Sequence, residues 1–398
     1  MKRLFLLLCL AVMTACSTYQ SQHDITIKAG DSDRPPSPVF VDVSLPAVDV
    51  TTPVCLTDGK TKIPGQIENL GKGIARVWWI TGELEAGEVK EYTLFIGKKC
   101  GKPVFQWTDN PGVSSLLTCN EIPVLKYMYT PFIAGDIENT QKPYHHVYSP
   151  DGSELITKGD GGGLYPHHRG IFFGYREVTV YDSTYNTWYS NKGEHTVHKS
   201  LITQMAGTVF GGHLLSIDWN DRSGEPFLTE NRSIRAFKLP DGTTLIDFNT
   251  QLETPVNPVL LDGDRQHGGV QFRAVQEVAD HDSTTKFLRP EKWAHLPANM
   301  EYNGDDFVNL GWNAMQFNIG KNKYTVVYFS DVSNPGNSDF SERQYGRFGE
   351  FFPYKVTAVE PLRAHYRFWI IKGHDITRQK IEKRYKNLKE PMEINLIN

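Results

Sequence analysis

The sequence predicts an all-β protein, a large antiparallel β-sandwich with a small N-terminal Ig-like β-sandwich domain ahead of it. Short apolar alternations recur at roughly 10-residue spacing between Gly, Asp and Pro turns. Nowhere do strands and helices alternate as a parallel α/β sheet requires. Aromatics make up 12% of the 398 residues, beside 34 Gly and 23 Pro, which suits a turn-rich β protein.

The first residues read as a secretory signal. Lys2 and Arg3 give a positive start, and residues 4–12 form an apolar run too short to span a bilayer. Met13-Thr14-Ala15-Cys16 follows and resembles the lipobox of bacterial lipoproteins, in which the cysteine is lipidated. Residues 1–15 therefore read as a lipoprotein signal peptide, with Cys16 as the lipidation site. Residues 16–36 are polar without hydrophobic periodicity and read as a tether. The expected location is the bacterial cell envelope, lipid-anchored, in the periplasm or at the outer membrane.

Residues 37–110 carry the small domain. Val39-Phe40-Val41-Asp42-Val43 and Pro53-Val54-Cys55-Leu56 are its first strands, followed by Ala75-Arg76-Val77-Trp78-Trp79-Ile80 and Glu91-Tyr92-Thr93-Leu94-Phe95-Ile96. The boundary falls between Gly101 and Cys119. The large domain spans residues 120–375, with strands such as Leu214-Leu215-Ser216-Ile217-Asp218-Trp219 and Thr244-Leu245-Ile246-Asp247-Phe248-Asn249. Pro240-Asp241-Gly242 and Pro150-Asp151-Gly152 are turns, because Pro presets one dihedral and Gly supplies the positive one. Residues 376–398 hold a terminal helix and tail. Ile381, Tyr385 and Leu388 repeat at helical spacing, with Asp375 or Thr377 as N-cap.

Of the cysteines beyond Cys16, Cys55 and Cys100 lie in one domain and are the expected pair, leaving Cys119 free. No Cys stands in a C-x-x-C spacing, so a cysteine zinc site is not expected. Net charge is −4 with acids and bases interspersed, which argues against nucleic-acid binding. No later apolar stretch approaches the ~18 residues of a membrane span.

Chemistry concentrates in histidines. Six of the 13 fall between residues 145 and 198, and His267 stands in Gln266-His267-Gly268-Gly269. Along a strand, neighbouring side chains face opposite sides, and so do residues three apart. Neither His145/His146, nor His167/His168, nor His195/His198 can then chelate one ion while extended. In an extended Tyr165-Pro166-His167-His168-Arg169-Gly170, His167 shares a face with Arg169, which favours His167 over His168 as the substrate-facing residue. Arg169, Arg273 and Arg343 each offer a planar fork for a carboxylate or paired hydroxyls. Trp188, Tyr189, Trp219, Trp293 and Trp312 are candidate sugar platforms, though Trp219 above all reads as core. Glu194, Glu230, Glu350 and Asp262 are the carboxylates available for acid–base work, which sequence cannot pair. The glycine-rich Gly159-Asp160-Gly161-Gly162-Gly163 lacks a Gly-Lys-Ser/Thr ending and is no phosphate loop. G-x-S-x-G and H-E-x-x-H are absent.

Tyr165-Pro166-His167-His168-Arg169-Gly170-Ile171-Phe172-Phe173-Gly174 resembles the P-H-H-[RK]-G core of the DUF6807 family, often labelled PmoA. Pro150-Asp151-Gly152, Gly193 with His195 and His198, His267-Gly268-Gly269-Val270-Gln271-Phe272-Arg273, Ser333-Asn334-Pro335 and Arg343-Gln344-Tyr345-Gly346 agree in order. The resemblance covers about residues 120–375. It implies a supersandwich-like all-β domain, often exported and encoded near carbohydrate-degrading enzymes, and it supplies no catalytic assignment. The methane monooxygenase label does not fit, since those subunits cross the membrane repeatedly.

The expected function is that of a carbohydrate-active enzyme, a lyase or glycoside hydrolase acting on a glycan fragment. His167, His168, His195, His267 and Tyr345 are the candidate catalytic residues. Arg169, Arg273, Arg343, Trp188 and His146 are the candidate substrate-binding residues. In a lyase, a histidine would take the proton α to a uronate or keto group, an arginine or metal would stabilise the enolate, and Tyr345 would protonate the leaving oxygen. A non-catalytic glycan-binding lipoprotein and a structural envelope protein are the alternatives. A divalent metal stays open as cofactor; first-row ions suit imidazole and calcium prefers oxygen.

Overall fold

The computed structural model describes residues 21–45, 48–256 and 258–397. Strands take 51% of the chain and helices 8%, and the sheets are antiparallel throughout. The Cys16 lipidation site and the signal peptide lie outside the described residues.

Two eight-stranded sheets form the body. The first runs Asp339–Arg343, Arg347–Phe351, Gly268–Arg273, Ile171–Tyr175, Tyr144–Val147, Ile122–Met128, Ser114–Cys119, Phe105–Asn110. The second runs His195–Ala206, Phe210–Asn220, Pro226–Lys238, Thr244–Glu253, Leu362–Lys372, Asn322–Ser330, Trp312–Ile319, Lys286–Leu288. Alternation along each strand sends one set of side chains into a shared core. Ile171, Phe173 and Tyr175 of the first sheet meet Ile234, Ile246, Phe248 and Phe368 of the second. Each such fully buried side chain stabilises the fold by about 1.5–3 kcal/mol. Trp219 belongs to this core and is fully buried, its indole N–H donating to Glu230 at 3.1 Å. A four-stranded sheet of Ser183–Tyr185, Glu177–Val180, Val259–Asp262 and Tyr354–Val356 completes the body.

The N-terminal strands are hydrogen-bonded in a single seven-membered order: Pro38–Ser44, Ile74–Ile80, Lys62–Gly71, Val54–Thr57, Val89–Ile96, Ser21–Lys28, Glu393–Ile397. They enclose a separate core that includes Ile25, Ile27, Val77, Trp79 and Leu94. Two expectations need correction here. Ser21–Lys28, read as tether, is an inner strand of this sheet, and the C-terminal tail is its partner, with Asp24 opposite Ile397 and Lys28 opposite Glu393. Ile25 and Ile27 do alternate with Asp24, Thr26 and Lys28, but the run is too short to stand out from polar sequence. Cys55 and Cys100 form the expected disulfide, and Cys119 is free and buried.

The terminal helix is Arg378–Lys389, and of the two cap candidates Thr377 accepts from the Lys380 N–H at 3.3 Å. Its Ile381, Tyr385 and Leu388 pack on Trp369 and Phe329. The same cluster takes in Trp78, so it seams the N-terminal sheet to the body.

Candidate functional site

The site grows from the outer face of the first eight-stranded sheet. Parity puts Ile171, Phe173 and Tyr175 in the core, so Phe172 and Gly174 face outward. Pairing carries that face across the sheet, with Phe172 opposite Gln271, Gln271 opposite Gly349, and Gly349 opposite Ser341. The adjoining row sets Arg273 opposite Arg347 and Arg347 opposite Arg343. Three guanidinium side chains thus arise side by side from neighbouring strands about 4.8 Å apart.

Two loops cover this face. Residues 158–170 pass so close to the strand Tyr144–Val147 that a Cβ at Gly170 would meet the His145 carbonyl oxygen at 2.1 Å, with φ at +49°. Only glycine fits there. Residues 186–193 press on Gly174, where a Cβ would lie 2.7 Å from the Thr187 carbonyl oxygen. Buried Lys142 donates to the carbonyls of Thr187 and Trp188 and pins that second loop.

Between the loops and the sheet lies a 290 Å³ cavity lined by Tyr165, His167, His168, Tyr189, Gln266, His267, Glu301, Arg343, Tyr345 and Arg347. Six of the sequence candidates (His167, His168, Tyr189, His267, Arg343 and Tyr345) converge on it. The extended parity reading of His167 and His168 does not hold, because the segment is a turn. His168 N–H donates to the Tyr165 carbonyl at 3.0 Å, and Tyr165 has φ +51°. Both His167 and His168 therefore line the cavity, their ring centroids 4.1 Å apart, and Arg169 points away.

Arg347 donates to the Tyr345 hydroxyl at 3.0 Å, to Gln271 Oε1 at 2.8 Å and to Ser341 Oγ at 2.9 Å. All three acceptors are neutral. Arg343 donates to Asn303 Oδ1 at 2.5 Å, and its nearest carboxylate, Glu301, is 3.7 Å away. Arg273 is buried behind Tyr345, its guanidinium 5.0 Å from that ring centre, and donates to backbone carbonyls. Burial, with Arg347 adding to it, pulls Arg273 down to about 10.

The imidazoles are held neutral. Burial, then the charges of Lys142, His267 and Arg347, takes His167 down to about 3. Burial, then His167 and Arg347, takes His168 well below the usual range, and neither of its ring nitrogens has a partner. His267 Nδ1 lies 2.7 Å from Asp264 Oδ1, and burial outweighs that carboxylate in setting its pKa below 6.5. At neutral pH the cavity thus combines uncharged bases, a phenol and permanently cationic guanidiniums.

The remaining candidates lie elsewhere. His195 stacks on Phe132, with Nδ1 on the Gly193 carbonyl at 2.8 Å and Nε2 facing Asn220 at 3.1 Å. His146 is buried between Tyr144 and Thr157. Arg169 is buried too, tying Pro166 and Asn139 carbonyls together. Trp188 is fully buried against Phe172, His168 and His267 and offers no face to a sugar; it packs behind the cavity-lining residues. Among the carboxylates, Glu194 is held by Arg222, Glu230 by Arg232, and Glu350 sits in the inter-sheet core, raised by burial to about 7. Asp262 sits in the strand Val259–Asp262, away from the cavity. Glu301 is the one carboxylate on the cavity wall among the described residues.

Sequence reasoning passed over Arg347, Asp264, Gln266 and Glu301. Arg347 stands four residues after Arg343, and Asp264 three before His267, and either spacing could have been read as a pair. Among the described residues no group of three or more His, Cys, Asp or Glu is arranged to hold a metal ion.

No curated protein matches the chain. Among solved structures, OccAB4 of Acinetobacter baumannii aligns at 9% identity over 88% of this chain and 95% of its own, with a TM-score of 0.10. Pseudomonas aeruginosa OccK2 in complex with glucuronate aligns at 8% identity over 88% and 95%, also with a TM-score of 0.10. Scores that low carry no structural likeness to build on. The family model described as a family of unknown function, DUF6807, matches residues 114–386, which include both cavity loops and all three paired arginines. The chain belongs to the DUF6807 family.

Proposed function

We propose that this protein is an exported, lipid-anchored enzyme of the bacterial cell envelope that acts on an acidic sugar by elimination. The observation that carries the reading is the arginine row. Arg343 and Arg347 line the cavity and Arg273 backs it, while Arg347 has only neutral partners. Three neighbouring cations share one nearby carboxylate, Glu301 at 3.7 Å from Arg343, and that excess of positive charge favours an anionic ligand, whose carboxylate the guanidinium fork matches. At 290 Å³ the cavity is at the small end of ligand sites, roughly 300–1,000 Å³. That size suits one sugar ring, so the enzyme works on a terminal residue or a small fragment.

The chemistry follows from the groups present. A carboxylate neutralised by Arg343 and Arg347 makes the adjacent C–H acidic. The Nε2 of His267, oriented by Asp264, takes that proton. The C–H electrons form a C=C bond, the C–O bond at the neighbouring carbon breaks, and the Tyr345 hydroxyl protonates the departing oxygen. Tyr345 accepts a hydrogen bond from Arg347, which leaves its own proton free to give. Hydrolysis by paired carboxylates has less support, with Glu301 the single acid on the wall among the described residues.

Incubation with a panel of uronate-containing oligosaccharides tests this, following unsaturated-sugar absorbance and reducing ends together. Unsaturated product supports elimination. Reducing ends without unsaturation would make it a hydrolase, and thermal stabilisation without product would make it a binding protein.

A further inference from the structure

We infer that one end of the N-terminal sheet is a docking face for an anionic phospholipid surface. This rests on the reading of Cys16 as lipidated. Only residues 17–20 separate Cys16 from Ser21, where the first strand begins. Five inter-residue steps span at most roughly 17–18 Å, so a lipid on Cys16 holds the strand's leading end close to the bilayer.

Register identifies what shares that end. Ser21 lies opposite Ile96, and Ile96 lies opposite Val54. The loops after Ile96 and before Val54 meet there, with Gly97 N–H donating to the Pro53 carbonyl at 2.8 Å. The turn between Lys62–Gly71 and Ile74–Ile80 lies towards the same end, since Val54 pairs with Gly65 and that strand runs on past it to Gly71.

These loops carry Lys72, Lys98, Lys99 and Lys102, all exposed, and none has a carboxylate within ion-pair distance among the described residues. Between them stand exposed apolar side chains, Val50, Leu70 and Ile74, at 50%, 43% and 41% exposure. The opposite end of the same strands is mixed in charge, with exposed Asp31, Asp33, Glu83 and Glu85 beside exposed Lys28, Lys60 and Lys62. Unpaired lysines with interspersed apolar tips, against the single exposed carboxylate of Asp49, suit an anionic headgroup layer, and the end with more carboxylates than lysines faces away from it. Lipid attachment alone sets distance; this charge division sets orientation.

The test uses the full chain, exported and labelled with palmitate, then placed in phosphatidylethanolamine vesicles containing phosphatidylglycerol and, separately, in detergent micelles. Acylation by a water-soluble ester is followed lysine by lysine. The expected result is label on Cys16, with Lys72, Lys98, Lys99 and Lys102 modified roughly tenfold more slowly on vesicles and Lys28 and Lys60 unchanged. The double variant Lys98→Glu, Lys99→Glu should lose protection at Lys72 and Lys102. Labelled protein with equal lysine reactivity in both settings overturns the docking face and leaves lipidation standing. Absence of label overturns the lipidation reading and the docking face with it.

Discussion

Asp264 and His267 form an oriented pair, the carboxylate Oδ1 and Oδ2 lying 2.7 and 2.9 Å from the imidazole Nδ1. Arg176 donates to Oδ2 at 2.7 Å and fixes the carboxylate from its far side. With Nδ1–H committed to Asp264, Nε2 is the basic nitrogen of a residue on the cavity wall. The spacing is three residues, and a turn rather than a strand brings the side chains together.

Replacement of Asp264 by Asn should lower kcat by about 10²–10⁴-fold with little change in KM, because the amide no longer specifies the tautomer. The pH profile checks the assignment. Only the unprotonated imidazole works as base, and burial sets His267 below 6.5, so kcat/KM should rise with pH through a limb lying below that value. Asp264 opposes the burial effect, so the Asn variant should move the limb to still lower pH. An unmoved limb would remove His267 from the role of base.

Arg347→Lys should raise KM for an acidic sugar by about 10–100-fold, the loss expected for one or two charge-assisted hydrogen bonds. An ammonium group cannot reach Tyr345, Gln271 and Ser341 at once. Equal effects on an uncharged sugar analogue would show that the arginine row does not read the carboxylate. Thermal denaturation of the variant separates this from loss of fold.

Acid should destabilise the body. His145 Nε2 lies 2.9 Å from His213 Nε2 in the inter-sheet core, and burial takes His213 to about 3 and His145 well below its usual range. The unfolded chain binds these protons near pH 6.5 and the folded chain does not. Stability is therefore complete above about pH 6.5 and declines as pH falls, by about 1.4 kcal/mol per unit per buried histidine until its folded pKa is reached. Urea midpoints at pH 7, 5.5 and 4.5 measure the slope. A flat response would mean that the imidazoles are accessible in the folded state.

Gly170→Ala should cost about 3 kcal/mol or more, since its Cβ would meet the His145 carbonyl oxygen at 2.1 Å with φ at +49°. The melting temperature reports it. A near-neutral result would show that residues 158–170 stand off the sheet.

The all-β class, the strands of the body, the terminal helix, the Cys55–Cys100 bond and the family were all legible along the chain. Each rests on local periodicity, turn chemistry or motif order, which neighbouring residues carry between them. His167, His168, His267, Arg343 and Tyr345 were legible as candidates because their motifs set polar groups against glycine or aromatic residues. His195, His146 and Arg169 looked the same by that measure, and both ring nitrogens of His195 and His146 turned out to be engaged in local bonds.

Folding in three dimensions decided the rest. The polar run beginning at Ser21 became a strand because Val89–Ile96 pairs along its whole length and Glu393–Ile397, more than 360 residues later, pairs with its other edge. Arg347 became central because cross-strand register sets it between Arg273 and Arg343, a relation spanning some 75 residues that no local pattern encodes. The parity rule for His167 and His168 failed for a related reason. It holds only while the backbone is extended, and packing of Gly170 against His145 turns the segment instead. Side-chain alternation is a property of the strand itself; which faces meet, and what a cavity gathers, depends on long-range pairing.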